Sequence, residues 1–157
     1  MEELLEVIRE LYLRGFLPAT SGNFSIRLDS NHLLITPSGK HKGKLKKEDF
    51  ILVDLEGKVK EEGKKPSAET FLHVAVYKTI PWATCVMHVH SPNATLISKL
   101  LDREVVLEGY ELLKAFDGIE THEAKLCIPI FENSQDMVSL SEEVRGYLEE
   151  KKETPAF

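Results

Sequence analysis

The chain has 157 residues, of which 42% are hydrophobic and 29% are charged, and its net charge is −6. This size and composition are those of a single globular domain with its own core, and the acidic balance argues against a chain-wide nucleic-acid surface. There are two cysteines without a CxxC pair, an acidic N-terminus, and no apolar run long enough to span a bilayer. These features predict a cytoplasmic protein with no disulfide framework and no membrane or nucleic-acid partner.

The first half of the chain contains one helical pattern followed by alternating patterns. Apolar residues at helical spacing predict a packing helix over 3–14, ended by Gly15. Alternation then predicts strands at 24–28, 32–36 and 50–54, with a hairpin between the first two. Because tight turns join these strands, an antiparallel sheet is favoured over a doubly wound parallel one.

Two hydroxyl-rich glycine turns adjoin the first strands. Ser21-Gly22-Asn23 precedes the first strand, and Ser38-Gly39 follows the second in a stretch that also carries positive charge. Such turns expose backbone N–H groups and hydroxyls to an anion, although each taken alone is also an ordinary turn. Their location at one end of paired strands suggests a phosphate cradle, with a solvated basic loop as the alternative.

A second helix is predicted to begin at Pro66-Ser67 and to end at Pro81, with Ser67 as its N-cap. Glu69 lies in its first turn, where a carboxylate suits the helix dipole. To act as a catalytic acid or a metal ligand, Glu69 would have to face the two histidines that follow. His73, on the next turn, is interpreted as structural.

The stretch over 84–90 is the most informative in the chain. Read as a strand, it places His88 and His90 on one face and Cys85 on the other, because side chains alternate with a period of two. Two imidazoles at the end of a strand can hold one metal ion between them, and a merely hydrogen-bonded pair is the alternative. Ser91-Pro92 then predicts the start of a third helix.

The last third of the chain predicts two short strands, at 105–107 and 126–130, with a short helix between them near 111–114. A final helix is predicted after Ser134, which is interpreted as its cap. The order of elements predicts one α/β domain over 1–157, with a largely antiparallel sheet covered by helices on both faces.

These motifs, in this order, resemble the class II aldolase/adducin superfamily over nearly the whole chain. The superfamily-level motifs are Ser21-Gly22-Asn23, Thr36-Pro37-Ser38-Gly39, Pro66-Ser67-Ala68-Glu69 and His88-Val89-His90-Ser91. Further segments look like the branch that dehydrates methylthioribulose 1-phosphate in methionine salvage: Thr36 to Gly43, Lys65 to Thr70, Gly109 to Lys114 and Pro129 to Asp136. The resemblance implies a three-layer class II aldolase-like fold and a hydro-lyase activity on that sugar phosphate.

The resemblance also implies roles for particular residues. One zinc ion per subunit is expected on His88 and His90, with Glu111 as the catalytic acid/base and Glu69 as the carboxylate beside the metal. Lys114, one helical turn from Glu111, belongs to the expected substrate-binding set. The expected phosphate-binding residues are Ser21, Gly22, Asn23, Ser38, Gly39 and Ser67. A homotetramer with active sites between neighbouring subunits is implied as well.

One feature of the superfamily is absent from the sequence. The superfamily has a third zinc histidine in a Gly-His-Gly segment after the last helix, whereas no histidine follows His122 here. We therefore expect this domain to lack its C-terminal segment, since a catalytic zinc usually keeps three protein ligands. Two other functions remain open: a sugar-phosphate aldolase of the fuculose or rhamnulose phosphate type, and a non-catalytic interaction module like the adducin head.

Overall fold

A computed structural model describes residues 1–157 and contains four α-helices and six strands. In chain order they are α1 (Glu2–Leu13), β1 (Asn23–Arg27), β2 (His32–Ile35), β3 (Ile51–Asp54), α2 (Thr70–Thr79), β4 (Cys85–His88), α3 (Pro92–Leu100), β5 (Glu104–Glu108), β6 (Lys125–Pro129) and α4 (Met137–Glu150). Short 3₁₀ turns lie at Lys42–Lys44, Lys47–Asp49 and Glu111–Ala115. The helices and strands expected from the periodicity are all present, with ends shifted by a few residues.

The main sheet has four antiparallel strands in the order β3-β2-β1-β4. β1 lies in its centre, where Ser25 is paired with Ile35 of β2 and with Val86 of β4. The histidine-bearing strand β4 is therefore an edge strand. β5 and β6 form a separate two-stranded antiparallel ribbon. The predicted antiparallel α/β architecture is confirmed, with its strands divided between a sheet and a ribbon.

Helices cover both faces of the main sheet, as predicted. Alternation along β1 and β2 divides their apolar side chains between the two faces. On one face, the apolar stripe of α1 packs on Phe24 of β1. On the other face, Val74 and Tyr77 of α2 pack on Leu33 and Ile35 of β2, and α4 packs against α2. Each fully buried aliphatic or aromatic side chain in these layers contributes roughly 1.5–3 kcal/mol.

Two helices begin later than the sequence predicted. The N-cap of α2 is Glu69 rather than Ser67, because the Ser67 carbonyl accepts the Thr70 backbone N–H at 3.2 Å and so closes a tight turn before the helix begins. The N-cap of α4 is Asp136 rather than Ser134, since the Asp136 carboxylate accepts a backbone N–H of the first turn. The Ser134 hydroxyl instead accepts the Asp136 backbone N–H at 3.0 Å. The predicted start of α3 at Ser91 is confirmed.

α3 presents an exposed apolar face. None of its residues is buried, and its leucines are largely open to solvent, with Leu96 exposed to 64% and Leu100 to 80%. Val106 of the neighbouring ribbon is also exposed. We call the surface formed by Leu96 and Leu100 of α3 and Val106 of β5 the α3 face. None of the four helices combines the length and apolar character needed to cross a bilayer.

Candidate functional site

A cavity of about 280 Å³ lies where β1 begins and β4 ends, at the register pair formed by Asn23 and His88. Only one hydrophobic residue lines it. Most of the site residues expected from the sequence lie in its wall: Ser21, Gly22, Asn23, Ser38, Gly39, Ser67, Glu69 and His90. The fold thus brings both glycine turns, the start of α2 and one of the two histidines around a single polar cavity.

Two glycines in the left-handed conformation shape the turns of this cavity. Gly22 has φ +76° and Gly39 has φ +71°, values that residues with a Cβ rarely adopt. Gly22 also lies against β4, where an added Cβ would stand 2.8 Å from the carbonyl oxygen of His88. The first turn can therefore approach the histidine strand closely only because this residue is glycine.

Backbone hydrogen bonds join the second turn to the start of α2. The Ser67 N–H donates to the Thr36 carbonyl and the Ser38 N–H donates to the Lys65 carbonyl, both at 3.1 Å. This pairing places the Ser38 and Ser67 side chains at the same cavity. Across the cavity, the Ser21 hydroxyl is buried and has no hydrogen-bond partner. A buried hydroxyl without a partner is costly, and an anion bound in the cavity would supply one.

Lys42 is a residue of this site that sequence reasoning left within a solvated basic stretch. Its side chain lines the cavity although only 2% of the residue is exposed. The ammonium donates to the Thr20 carbonyl at 2.8 Å and the Lys40 carbonyl at 2.9 Å, which ties the two turns together. Burial lowers the pKa of Lys42, and the Glu69 carboxylate partly offsets that effect. The basic character was visible in the sequence, but the burial depends on tertiary contacts that no local pattern reports.

The two histidines of the predicted metal pair lie side by side. Their ring centroids are 4.7 Å apart, and the His90 backbone N–H is held by the Phe16 carbonyl at 2.8 Å. His88 Nδ1 donates to Glu69 Oε2 at 2.8 Å, which leaves Nε2 of that ring as an available lone pair. Carboxylates that hold one nitrogen of a histidine in this way commonly orient the other nitrogen toward a metal ion.

The electrostatics of this pair favour metal binding. The pKa of Glu69 lies below its usual value, chiefly because of the hydrogen bond from His88, so the group is a carboxylate at neutral pH. Burial, and then the nearby His88, lower the pKa of His90 and favour its neutral form, which is the form that binds metal ions. No cluster of three or more His, Cys, Asp and Glu side chains has metal-binding geometry. The chain itself thus offers two imidazoles with a carboxylate beside them.

Glu111 and Lys114 do not line the cavity. They lie on the exposed 3₁₀ turn that follows β5, where Glu111 pairs with Lys114 at 2.6 Å and with His122 at 3.1 Å. Within one chain, the structure therefore separates these two predicted residues from the histidine pair and the glycine turns.

Comparison with known proteins identifies the family. The model of the class II aldolase and adducin N-terminal domain matches residues 2–156. A methylthioribulose-1-phosphate dehydratase from Methylococcus capsulatus is 49% identical over 146 residues, which are 93% of this chain and 71% of that protein. The dehydratase of the same name from Pseudomonas aeruginosa is 47% identical over 158 residues, covering 99% of this chain and 77% of the relative.

Solved structures share the fold. YgbL from Klebsiella pneumoniae superposes with a TM-score of 0.76 at 27% identity, covering 94% of this chain and 69% of that one. The L-fuculose-1-phosphate aldolase from Thermus thermophilus superposes with a TM-score of 0.69 at 28% identity, covering 93% of this chain and 68% of the aldolase. The chain belongs to the class II aldolase and adducin family, whose members generally use a divalent metal ion.

Proposed function

We propose that this protein is the zinc-dependent enzyme that removes water from 5-methylthioribulose 1-phosphate in methionine salvage, giving 2,3-diketo-5-methylthiopentyl 1-phosphate. The observation that carries the proposal is the single polar cavity in which both glycine turns meet His90, whose ring lies beside that of His88. The names of relatives that are 44–49% identical over nearly the whole chain supply the substrate.

The donor set fits zinc. His88 and His90, whose rings lie side by side, would hold the ion, since imidazole nitrogens are common zinc ligands. When bound, zinc supplies Lewis-acid polarisation of the substrate oxygens. Glu69 keeps the His88 ring oriented through the Nδ1 hydrogen bond.

The turns and Lys42 would bind the phosphate group. Ser21, whose hydroxyl has no partner, both glycine turns and Lys42 all line one cavity. The side chains of Asn23 and Ser67 complete this wall. Anchoring the phosphate there fixes the distance from the cavity to the reacting carbons of the substrate. Such positioning raises the rate of the reaction.

Glu111 would act as the acid/base group, and Lys114 beside it would contact the substrate. In the proposed reaction the carboxylate takes the C3 proton, and it later donates a proton to the C4 hydroxyl, which leaves as water. Because Glu111 lies outside the cavity of its own chain, we propose that it serves the cavity of a neighbouring subunit in a homotetramer. The exposed apolar α3 face lies next to β5, the strand that leads into the 3₁₀ turn of Glu111, and supports such a contact.

Glu111→Gln in the full-length protein tests this assignment, with the exposed Glu108→Gln on the same ribbon as the matched control. We expect the Glu111 variant to keep its zinc and its oligomeric state while losing at least about 100-fold in kcat, the contribution typical of general acid–base catalysis. The control should dehydrate the substrate normally. Near-normal dehydration by Glu111→Gln would contradict the role.

The same assay separates the other two functions. The similarity to L-fuculose-1-phosphate aldolase makes carbon–carbon cleavage the second candidate, and release of dihydroxyacetone phosphate from a sugar phosphate would favour it over dehydration. Metal analysis addresses the non-catalytic module. We expect one zinc per subunit, lost in His88→Ala, whereas full-length protein that binds no metal would favour the module.

A further inference from the structure

A continuous line of buried polar side chains runs from the core to the histidine pair. Tyr77 OH lies 2.8 Å from Ser25 Oγ, and Ser25 Oγ lies 2.6 Å from His73 Nδ1. His73 Nε2 lies 2.5 Å from Asn23 Oδ1, and the Asn23 amide nitrogen donates to Glu69. The first four of these residues are between 0% and 4% exposed, so water does not interrupt the line.

The donors and acceptors of this line can be assigned in only one direction. The Glu69 carboxylate only accepts, so Asn23 must turn its amide nitrogen toward it. The carbonyl oxygen of Asn23 then faces His73, and because that oxygen also only accepts, His73 Nε2 must carry a proton.

The second half of the line follows from the neutral state of His73. Burial lowers the pKa of His73 to about 3, so the ring is neutral and its Nδ1 is an acceptor. The Ser25 hydroxyl must therefore donate to Nδ1, and Ser25 Oγ in turn accepts the hydrogen of Tyr77 OH. Rotating the Asn23 amide would place its oxygen against the Glu69 carboxylate and its nitrogen against the protonated Nε2 of His73, which pairs two acceptors at one end and two donors at the other. In the observed orientation the amide nitrogen also lies 3.1 Å from His88 Nδ1.

We infer that His73 is a positioning residue: by holding the Asn23 amide in one orientation, it fixes the Glu69 carboxylate and thereby the Nδ1–H tautomer of His88, which leaves a lone pair on His88 Nε2. The sequence alone presented His73 as structural. The inference concerns how the histidine pair is oriented, and only its kinetic consequence depends on the proposed dehydratase activity.

Two substitutions of His73 test the inference in the full-length protein. His73→Leu removes both hydrogen bonds, whereas His73→Gln can still accept from Ser25 and donate to Asn23. Val74→Ala, at the adjacent buried position of α2, is the control that weakens packing without touching the line. Zinc affinity is measured by competition with a chelator, and thermal unfolding is measured in parallel.

We expect His73→Leu to lose at least about tenfold in zinc affinity, the usual effect of removing a group that orients a metal ligand. His73→Gln should recover most of that loss, and Val74→Ala should lower the melting temperature while leaving the affinity essentially unchanged. If His73→Leu behaves like Val74→Ala, His73 is structural only and the inference fails.

Nitrogen-15 NMR of the metal-free protein provides an independent test of the two histidine tautomers. Long-range spectra of the imidazole rings should show His73 as the Nε2–H tautomer and His88 as the Nδ1–H tautomer, with the His88 preference lost in His73→Leu. A wild-type His73 in the Nδ1–H form, or a His88 tautomer unchanged by His73→Leu, would overturn the inference. If the wild-type protein does not dehydrate the substrate, the proposed function is contradicted. The zinc affinities and histidine tautomers would still test the inference about His73.

Discussion

Replacing Lys42 by methionine would test whether a buried ammonium holds the phosphate-binding turns together. The Lys42 ammonium donates to the backbone carbonyls of Thr20 and Lys40, one in each turn. Methionine keeps most of the apolar stem of a side chain that is almost wholly enclosed, so packing changes little. What the substitution removes is the charge and both hydrogen bonds.

The magnitude follows from those two bonds. A hydrogen bond to a charged group contributes about 1.5–3 kcal/mol, and two such bonds are lost while the cost of burying the charge is relieved. A net loss of about 2 kcal/mol in the free energy of unfolding follows, or roughly 4–8 °C in melting temperature for a domain of this size. If the cradle binds phosphate as proposed, KM for the sugar phosphate should rise by about tenfold, which corresponds to roughly 1.4 kcal/mol.

The matched control is Lys44→Met, in the same 3₁₀ turn but exposed to solvent. Its stability should stay within about 0.5 kcal/mol of wild type, as for most surface substitutions. Urea unfolding of both variants, followed by kinetics on the full-length protein, gives both readings. Equal stability of the Lys42 and Lys44 variants would refute the bridging role. Loss of stability with an unchanged KM would refute only the contact with phosphate.

Two further predictions concern the turns. Gly22→Ala should destabilise the protein by about 3 kcal/mol or more, because its Cβ would meet the His88 carbonyl oxygen at 2.8 Å in a left-handed backbone. Gly118 is equally left-handed but lies in open space, so Gly118→Ala should lower the free energy of unfolding by only about 1 kcal/mol, as measured by thermal unfolding. The hydrogen bond from Lys60 lowers the pKa of Asp54 below its unfolded value, so its stabilisation is present at neutral pH and lost as the pH falls. Asp54→Asn should therefore be less stable than wild type in urea at neutral pH, and the difference should shrink below about pH 4.

Local periodicity was sufficient to predict the layers of the fold. The apolar stripe of α1 and the alternation of β1 and β2 specify which side chains face which helix, because each pattern is complete within one element. The same alternation places His88 and His90 on one side of a strand, and their rings do lie together. Turn residues and the helix-start position had already singled out the glycine turns and Glu69, and the fold gathers them at one cavity.

Features that depend on distant contacts could not be read from the sequence. Ser67 has the side chain of a good N-cap, but its backbone pairs with Thr36, 31 positions earlier in the chain, and the helix begins only after Glu69. His73 finds Asn23 and Ser25 about 50 positions away, so its hydrogen bonds leave no local pattern. Lys42 is buried for the same reason, although a lysine in a basic stretch is ordinarily solvated.

The location of Glu111 means that different parts of the fold carry the proposed metal-binding and proton-transfer groups. The histidine pair and the glycine turns lie at the main sheet and the start of α2, whereas Glu111 lies on the 3₁₀ turn between the two strands of the separate ribbon. Its exposed ion pair with Lys114 contributes at most about 1 kcal/mol, and its contact with His122 is also at the surface, so a substrate contact can replace them. Because the ribbon and the main sheet do not share strands, we expect a change at Glu111 to leave the fold and the metal affinity of the histidine pair unaltered. A Glu111→Gln variant that loses turnover but retains its zinc would therefore identify Glu111 as a proton-transfer group. A residue that merely supports the fold would not give that result.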